Sequence, residues 1–324
     1  MMRADLDGAL LAAVSRSFYL TIRLLPQRLR APIGLAYLLA RASDTIADTA
    51  TVPGEVRLDR LARFAAMVRH GTSDGLAGLQ DDIHPAHPGE RQLLARLDEC
   101  LERLRAMPAH DKAEIISVLD RIIAGQTLDL RRFGSYPDGV AALPTATELE
   151  EYTYLVAGCV GEFWTHLCLH HFSRYARLDA AELCSLARNY GKGLQLINIL
   201  RDLPSDLHDG RCYLPEDELR AAGSAPALLL ARPESARSVF EKWTGRAAAY
   251  LEDGRNYVRS LQPPRVRAGC FLPWYLGNET LRLMKTKSPL QSTVKVKVPR
   301  STVRTGLILA GLAAFSNAPL RTRS

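Results

Sequence analysis

The sequence predicts an all-α protein, and three observations support this fold class. Apolar residues recur at spacings of three and four through most of the chain. Strand-like alternation is convincing only at residues 293–298, and turn-forming residues separate the periodic segments. The helical segments are 56–69, 91–107, 113–132, 148–171, 180–203 and 235–261. With 47% apolar residues, the 324-residue chain can bury a sizeable core. We therefore expect a single helical-bundle domain over residues 1–285, followed by a basic extension at 286–324.

Positive charge is concentrated near the C-terminus. The net charge is +7, and residues 285–324 hold eight basic residues and no acidic one. A patch of this kind can meet nucleic acid, an anionic membrane surface or the phosphates of a cofactor, and a solvated tail is the plainest alternative. The apolar run at residues 306–315 is well short of the roughly 20 residues that a spanning helix needs.

Cysteine usage and the N-terminal residues bear on the compartment. The six cysteines show no C-x-x-C spacing, and most have apolar neighbours, as buried thiols do. This pattern indicates a reducing environment rather than a disulfide framework or a structural zinc site. The first ten residues carry acids where a signal peptide needs positive charge. We expect a cytoplasmic protein, which could also rest on a membrane surface.

The first informative segment places two carboxylates on one stripe of a helix. Tyr37, Arg41, Asp44 and Asp48 fall within about 60° of one another at helical spacing. Their neighbours are so apolar that the helix should be buried nearly all round. Buried carboxylates are costly unless they are paired or bind metal, and Arg41 cannot easily satisfy both.

A second segment repeats this pattern 158 residues later. Gln195, Asn198, Asp202 and Asp206 lie within about 80° of one another if the helix continues. Pro204 is expected to kink or end the helix, which would leave Asp206 just beyond its regular part.

Taken singly, an Asp pair of this spacing usually marks a solvated face. Two such pairs in apolar helices favour a different interpretation, because four carboxylates would form a cage of hard oxygen ligands suited to Mg²⁺. A predicted turn at residues 210–215 would bring Arg211 back towards the carboxylates. Mg²⁺ and arginines together would bind a diphosphate leaving group.

The ordered motifs resemble those of the squalene/phytoene synthase family, which joins two prenyl diphosphates head to head. They are S-R-S-F at 15–18, Y-x-x-x-R-x-x-D-x-x-x-D at 37–48, G-x-x-x-D-L at 125–130, a near match to Y-x-x-Y-V-A-G-x-V-G at 152–161, and the second metal motif at 198–206 followed by Gly210 and Arg211. Two departures are Ala47 and Ser205, where relatives often carry acids. Fewer acids should weaken metal binding modestly.

The resemblance implies an isoprenoid-synthase-type helical bundle with a central cavity, a prenyl diphosphate substrate and Mg²⁺ as cofactor. It implies Mg²⁺ binding by Asp44, Asp48, Asp202 and Asp206. Catalytic roles fall to Tyr152, Asn198 and Arg201, and diphosphate binding to Arg16, Ser17, Tyr37, Arg41, Gln195, Arg211 and Tyr213. Tyr152 would assist proton removal or stabilise a cation with its ring.

The product follows less directly from the sequence. Residues 294–303 resemble a V-K-I-R-K segment near the end of squalene synthases, and Lys295, Lys297 and Arg300 could bind the phosphates of NADPH. No G-x-G-x-x-G follows a strand, which argues against a Rossmann site. We expect squalene formation from farnesyl diphosphate, with phytoene or dehydrosqualene synthesis as the alternative. A non-catalytic helical protein that binds anionic membranes or nucleic acid through its tail would leave both aspartate stripes unexplained, so no nucleic-acid partner is expected.

Overall fold

The structure is a computed structural model that describes residues 6–134, 139–289 and 296–320, with only the backbone described at residues 7, 16–18 and 20. These residues are mostly helical, with one small two-stranded sheet. The expected all-α class is confirmed. The chain forms two compact units, the first made of Met1–Arg131 and His166–Ser173, the second of Arg132–Thr165 and Arg174–Ser324. The expected domain end at residue 285 stays a prediction.

The first unit consists of helices joined by short turns. A π-helical turn at Leu6–Leu10 leads into its first helix. Its helices are α1 (Leu11–Leu24), α2 (Gln27–Asp48), α3 (Gly54–His70), α4 (Leu76–Asp82), α5 (Pro88–Ala95), α6 (Leu97–Arg105) and, as far as Arg131, α7 (Ala109–Phe133). The segment 91–107, expected as one helix, is therefore divided between α5 and α6 at Arg96.

Helix α2 forms the centre of the first unit and contacts α1, α3, α5 and α6. Leu35, Leu38, Leu39 and Ile46 are at most 1% exposed. Full burial of each such side chain stabilises the fold by about 1.5–3 kcal/mol. This burial fixes the rotation of α2 about its axis, and so it fixes the face that carries the polar residues of the first motif.

The second unit combines long helices with a small parallel sheet. Its helices are α8 (Ala146–Thr153), α9 (Cys159–His171, in this unit through Thr165), α10 (Ala180–His208), α11 (Glu216–Ala221), α12 (Arg237–Ser260), α13 (Pro264–Thr286) and α14 (Arg300–Ala313). Short 3₁₀ turns occur at Pro226–Leu228, Pro233–Ala236 and Ala318–Leu320. Helix α10 packs most extensively against α12. No helix of the described residues is both long enough and apolar enough to cross a bilayer.

The sheet pairs β1 (Ala141–Leu143) with β2 (Arg211–Pro215) in parallel. The sequence predicts only a turn at 210–215. The chain does turn at Gly210, where a φ of +75° favours glycine. The residues that follow, Arg211–Pro215, form β2. Both strands are too short for alternation to reveal them. Of the strand expected at 293–298, residues 293–295 lie outside the described residues, and 296–298 are not in a strand.

The prediction that Pro204 ends or kinks its helix at this point is wrong in one respect, because α10 continues to His208. Proline removes one backbone hydrogen bond and costs a helix about 3 kcal/mol. Leu200, Leu203 and Leu207 are buried on one face around it. Their burial offsets that cost and holds Asp206 within the helix.

The segment 148–171, expected as one regular helix, contains a π-helical turn at Tyr154–Gly158 between α8 and α9. A Cβ added at Gly161 would lie 2.1 Å from the carbonyl oxygen of Ala187, and one added at Gly191 would lie 2.3 Å from that of Ala157. Only glycine fits at either position, because the two backbones approach so closely.

Candidate active site

The first aspartate pair lies on α2 in the first unit, with Asp44 and Asp48 one turn apart. The side chain of Asp44 is 43% exposed, and its Oδ2 lies 3.8 Å from Nη1 of Arg41. Its Oδ1 accepts a hydrogen bond of 2.5 Å from Nε2 of Gln126, a nearly buried residue of α7. Asp48 is exposed. Gln126 belongs to the G-x-x-x-D-L segment at 125–130, but its position in the sequence predicts no role for it.

The electrostatics of this pair suit a divalent cation. Partial burial and the charge of Asp48 raise the pKa of Asp44 to about 6, against smaller lowering effects of Arg41 and Gln126. The Oε1 atom of Gln126 is buried and has no hydrogen-bond partner among the described residues. A Mg²⁺ ion near these oxygens would relieve the repulsion between the carboxylates, and hard oxygen donors are its preferred ligands. The residues present therefore fit a magnesium ion.

Arg41 forms its main ion pair with Glu90, through Nη2 and Oε1, rather than with Asp44. Glu90 lies on α5 and its side chain is 16% exposed. Tyr37 donates a hydrogen bond of 3.2 Å to the carbonyl oxygen of Val14, and burial raises its pKa. Glu90 cannot be predicted as a partner of Arg41 from the sequence, because helical periodicity does not relate residues 49 positions apart.

The second aspartate pair lies on α10 in the second unit. Arg201 donates two hydrogen bonds to the carboxylate of Asp202, one of 3.2 Å from Nε to Oδ1 and one of 2.5 Å from Nη2 to Oδ2. Asp206 follows one turn later and is half-buried. Gln195 is half-buried and Asn198 is exposed, one turn before Asp202.

Aromatic side chains gather beside β2 in the same unit. The rings of Tyr152 and Tyr213 stack with centroids 5.0 Å apart, and Phe133 meets Tyr213 edge-on at 5.1 Å. Both tyrosines are among the site residues predicted from the sequence, whereas Phe133 is not. Arg211 begins β2, and its Nη2 lies 3.4 Å from Oδ2 of Asp209.

The remaining predicted site residues lie on α1 and near the start of α14. Arg16 and Ser17 belong to α1, and the structure describes only their backbone. Lys295 is outside the described residues. Lys297 and Arg300 are exposed, the second at the first position of α14. These two cations are accessible to a phosphate group.

A family model described as squalene/phytoene synthase matches residues 11–302, nearly the whole chain. The chain belongs to this family. The resemblance inferred from the ordered motifs is confirmed.

Two relatives illustrate the range of the squalene/phytoene synthase family. Squalene synthase ERG9 of Gibberella zeae is 34% identical over 206 residues, which are 63% of this chain and 41% of that protein. A bifunctional lycopene cyclase/phytoene synthase of Phaeosphaeria nodorum is 28% identical over 253 residues, 76% of this chain and 40% of that protein. The chain thus spans about two fifths of the length of these curated relatives.

The fold also resembles solved structures. A TcSQS structure in complex with a ligand superimposes with a TM-score of 0.78 at 23% identity, over 94% of this chain and 85% of that one. This likeness confirms the isoprenoid-synthase type of fold.

Proposed function

We propose that this squalene/phytoene synthase family member joins two prenyl diphosphates head to head, and that it converts two farnesyl diphosphates into squalene with NADPH as reductant. The match of the family model to residues 11–302 is the observation that carries the proposal. The aspartate pairs of α2 and α10 provide groups suited to ionising an allylic diphosphate.

Asp44, Asp48, Asp202 and Asp206 are proposed to bind Mg²⁺ together with the substrate diphosphate. Carboxylates one turn apart and still accessible to solvent can each offer an oxygen, while Mg²⁺ keeps positions for phosphate oxygens. Bound Mg²⁺ would act as a Lewis acid on the leaving group. With a pKa of about 6, Asp44 is mostly ionised at neutral pH.

Arginines and hydroxyl groups are proposed to complete diphosphate binding. Arg41 and Arg201 already pair with carboxylates, but each guanidinium has five N–H donors and keeps some for phosphate oxygens. The wider proposed set comprises Arg16, Ser17, Tyr37, Gln195, Arg211 and Tyr213. Asn198 is proposed to orient the diphosphate or an associated water molecule.

The carbon chemistry has two stages. In the first, the C–O bond of one substrate breaks and its electron pair leaves with the diphosphate. The double bond of the second substrate attacks the allylic cation, and loss of one proton closes a cyclopropane ring. Tyr152 is proposed to assist that proton transfer or to stabilise the cation, and its stacked partner Tyr213 extends the aromatic surface.

In the second stage the C–O bond to the remaining diphosphate breaks, its electron pair leaves with the diphosphate, and the carbon skeleton rearranges. NADPH, when bound, would supply the hydride that completes squalene. Lys295, Lys297 and Arg300 are proposed to bind the cofactor phosphates. In the alternative, phytoene or dehydrosqualene synthesis, the cation loses a proton and needs no reductant. This alternative is supported by the similarity of the chain to a bifunctional lycopene cyclase/phytoene synthase as well as to a squalene synthase.

Product analysis tests the proposal. Purified full-length protein would be incubated with Mg²⁺ and farnesyl diphosphate, with and without NADPH, and in parallel with geranylgeranyl diphosphate. We expect diphosphate release in both farnesyl reactions, but squalene only when NADPH is present. A dehydrosqualene product unchanged by NADPH, or a strong preference for geranylgeranyl diphosphate, would support the alternative. No diphosphate release with either substrate would contradict the enzyme assignment.

We also propose that α14 rests on an anionic membrane surface. Ile308 and Leu312 are 70% and 56% exposed and lie one turn apart on one stripe of α14, and Phe315, two residues past its end, is 84% exposed. Arg300 and Arg304 continue the same stripe towards the start of α14, and both are exposed. Basic residues beside exposed apolar side chains suit an interfacial helix, and each adds about 1 kcal/mol of attraction to an anionic bilayer.

Vesicle sedimentation tests this second proposal. We expect the protein to sediment with vesicles rich in phosphatidylserine and much less with pure phosphatidylcholine. The variant I308S/L312S should lose most of this binding. The matched control L228S/L230S removes two leucines that are 40% and 41% exposed elsewhere in the same unit, and should retain it. Equal binding by both variants, or none by the wild type, would reject the proposal.

A further inference from the structure

A cluster of histidines in the first unit contains no residue of the aspartate motifs. His110 and Asp111 come from the first turn of α7, and His170 and His171 come from the last turn of α9. Helical spacing in the sequence does not reveal this cluster, because the carboxylate that His171 contacts lies 60 residues earlier in the chain.

The side chain of Asp111 is held in place by burial and by His171. Its side chain is only 4% exposed, and both of its oxygens accept from Nε2 of His171, at 2.9 and 3.1 Å. A buried carboxylate needs such a partner. Imidazole–carboxylate pairs of this type commonly orient the ligands of metal sites.

Two further imidazoles lie beside this carboxylate. The rings of His110 and His170 stack at 3.7 Å, with an interplanar angle of 7°. Nδ1 of His110 is buried, lies 3.6 Å from Oδ1 of Asp111, and has no hydrogen-bond partner among the described residues. A buried polar atom without a partner destabilises the fold, and this nitrogen is therefore available to a ligand.

We propose that His110, Asp111 and His170 bind a borderline divalent transition-metal ion such as Zn²⁺, with His171 as the positioning residue of the carboxylate. Ligand atoms of the three residues lie within 4.8 Å of one another. Tetrahedral zinc needs neighbouring donors about 3.3 Å apart. The exposed His170 and the 38% exposed His110 can rotate to close this gap, while Asp111 stays fixed.

The donor set distinguishes this site from the aspartate motifs. Imidazole nitrogen suits Zn²⁺, Co²⁺ and Ni²⁺, whereas Mg²⁺ prefers oxygen ligands and binds imidazole poorly. Two imidazoles and one carboxylate leave a fourth position for water. A bound ion would tie the start of α7 to the end of α9 within the first unit, and would raise its stability by mass action. The inference is independent of the proposed function.

Calorimetric titration of tag-free, chelator-treated full-length protein with Zn²⁺ tests the site. Excess Mg²⁺ is kept in the cell so that the aspartate motifs are occupied. We expect one tight Zn²⁺ site that Mg²⁺ does not displace, and affinity at least about tenfold weaker in His110→Ala and in His170→Ala. Visible absorption of a Co²⁺-loaded sample should report tetrahedral nitrogen and oxygen ligands.

His166→Ala is the matched control. His166 lies one turn before His170 on α9, is exposed, and contacts Glu114 at 3.1 Å instead of the cluster. Its variant should keep full Zn²⁺ affinity, and thermal unfolding without metal should show that all three variants are folded. Equal affinities in His166→Ala and His170→Ala, displacement of Zn²⁺ by Mg²⁺, or absence of a tight site in the wild type would each overturn the proposal. If His170→Ala fails to fold, His170→Gln serves in its place.

Discussion

The aspartate motifs of α2 and α10 are alike in sequence, yet they are held in different ways. On α2, Asp44 is bound by Gln126 from α7, while the motif's own Arg41 pairs chiefly with Glu90 from α5. On α10, the adjacent Arg201 holds both oxygens of Asp202. The first motif thus depends on two other helices, whereas the Arg201–Asp202 pair is formed within its own motif. Similar spacing in sequence does not guarantee a similar electrostatic environment.

The largest expected effect tests whether both motifs serve catalysis despite this difference. Asp44→Asn and Asp202→Asn should each lower kcat/KM for diphosphate release by about 10³-fold, because each removes a proposed metal ligand and several kcal/mol of charge stabilisation. Steady-state kinetics with farnesyl diphosphate would measure this. Asp120→Asn, which breaks an exposed pair with Arg69, is the control and should retain activity. If kcat/KM of either variant stays within threefold of the wild-type value, the motif that carries the substitution is not part of the catalytic site.

The next effect sharpens the contrast between the motifs. Gln126→Met should weaken the apparent Mg²⁺ affinity by about 10- to 100-fold, because the amide that orients Asp44 is lost. The rate at saturating Mg²⁺ should change far less, and a Mg²⁺ titration of activity separates the two. Gln80→Met is the control, since Gln80 is in the same unit but donates to the carbonyl oxygen of Leu94. A loss of rate without any change in Mg²⁺ dependence would argue against this role for Gln126.

A third test concerns stability. Glu90→Gln should lower the free energy of unfolding by about 2 kcal/mol, because Arg41, only 33% exposed, would keep its charge without its main partner. Urea unfolding would measure the change. Glu241→Gln removes a partner of Arg237 from a pair that is 70–76% exposed and should change stability by less than about 0.5 kcal/mol. Equal effects of the two substitutions would mean that the Arg41–Glu90 pair is no more than a surface contact.

The smallest expected effect follows from the pKa of Asp44. Its value of about 6 exceeds the unfolded value of 3.8, so the folded protein binds this proton more tightly. Stability without metal should therefore fall as pH rises from about 4 to about 6. Asp44→Asn removes the titrating group and should stabilise the metal-free protein at pH 7 by about 1 kcal/mol, a value reduced for the 43% exposed side chain.

Thermal unfolding at several pH values with a chelator present would show this, and the difference should vanish near pH 4. The same substitution would then strongly lower activity and raise stability, as expected for a carboxylate that is retained for function at a cost in stability. A variant less stable than wild type at pH 7 would contradict the origin given for the raised pKa.

The sequence predicts those features that depend on local spacing. Period 3.6 places Asp44 and Asp48 on one face of a buried helix, and the apolar neighbours imply its central position. The partners Gln126 and Glu90 escape prediction because contacts between distant segments are set by packing. Pro204 misleads for a related reason, since the burial of leucines around it outweighs a local preference.

The π-helical turn at Tyr154–Gly158 limits which mutations this segment can accept. Such a turn accommodates one more residue than an α-helical turn, which rotates everything after it by about 100° about the helix axis. Tyr152 before the turn can therefore face β2, while Gly161 after it meets α10. Deleting a single residue here would straighten the helix and turn one of these two faces away from its partner. The segment should thus tolerate replacements of its side chains far better than any change in its length.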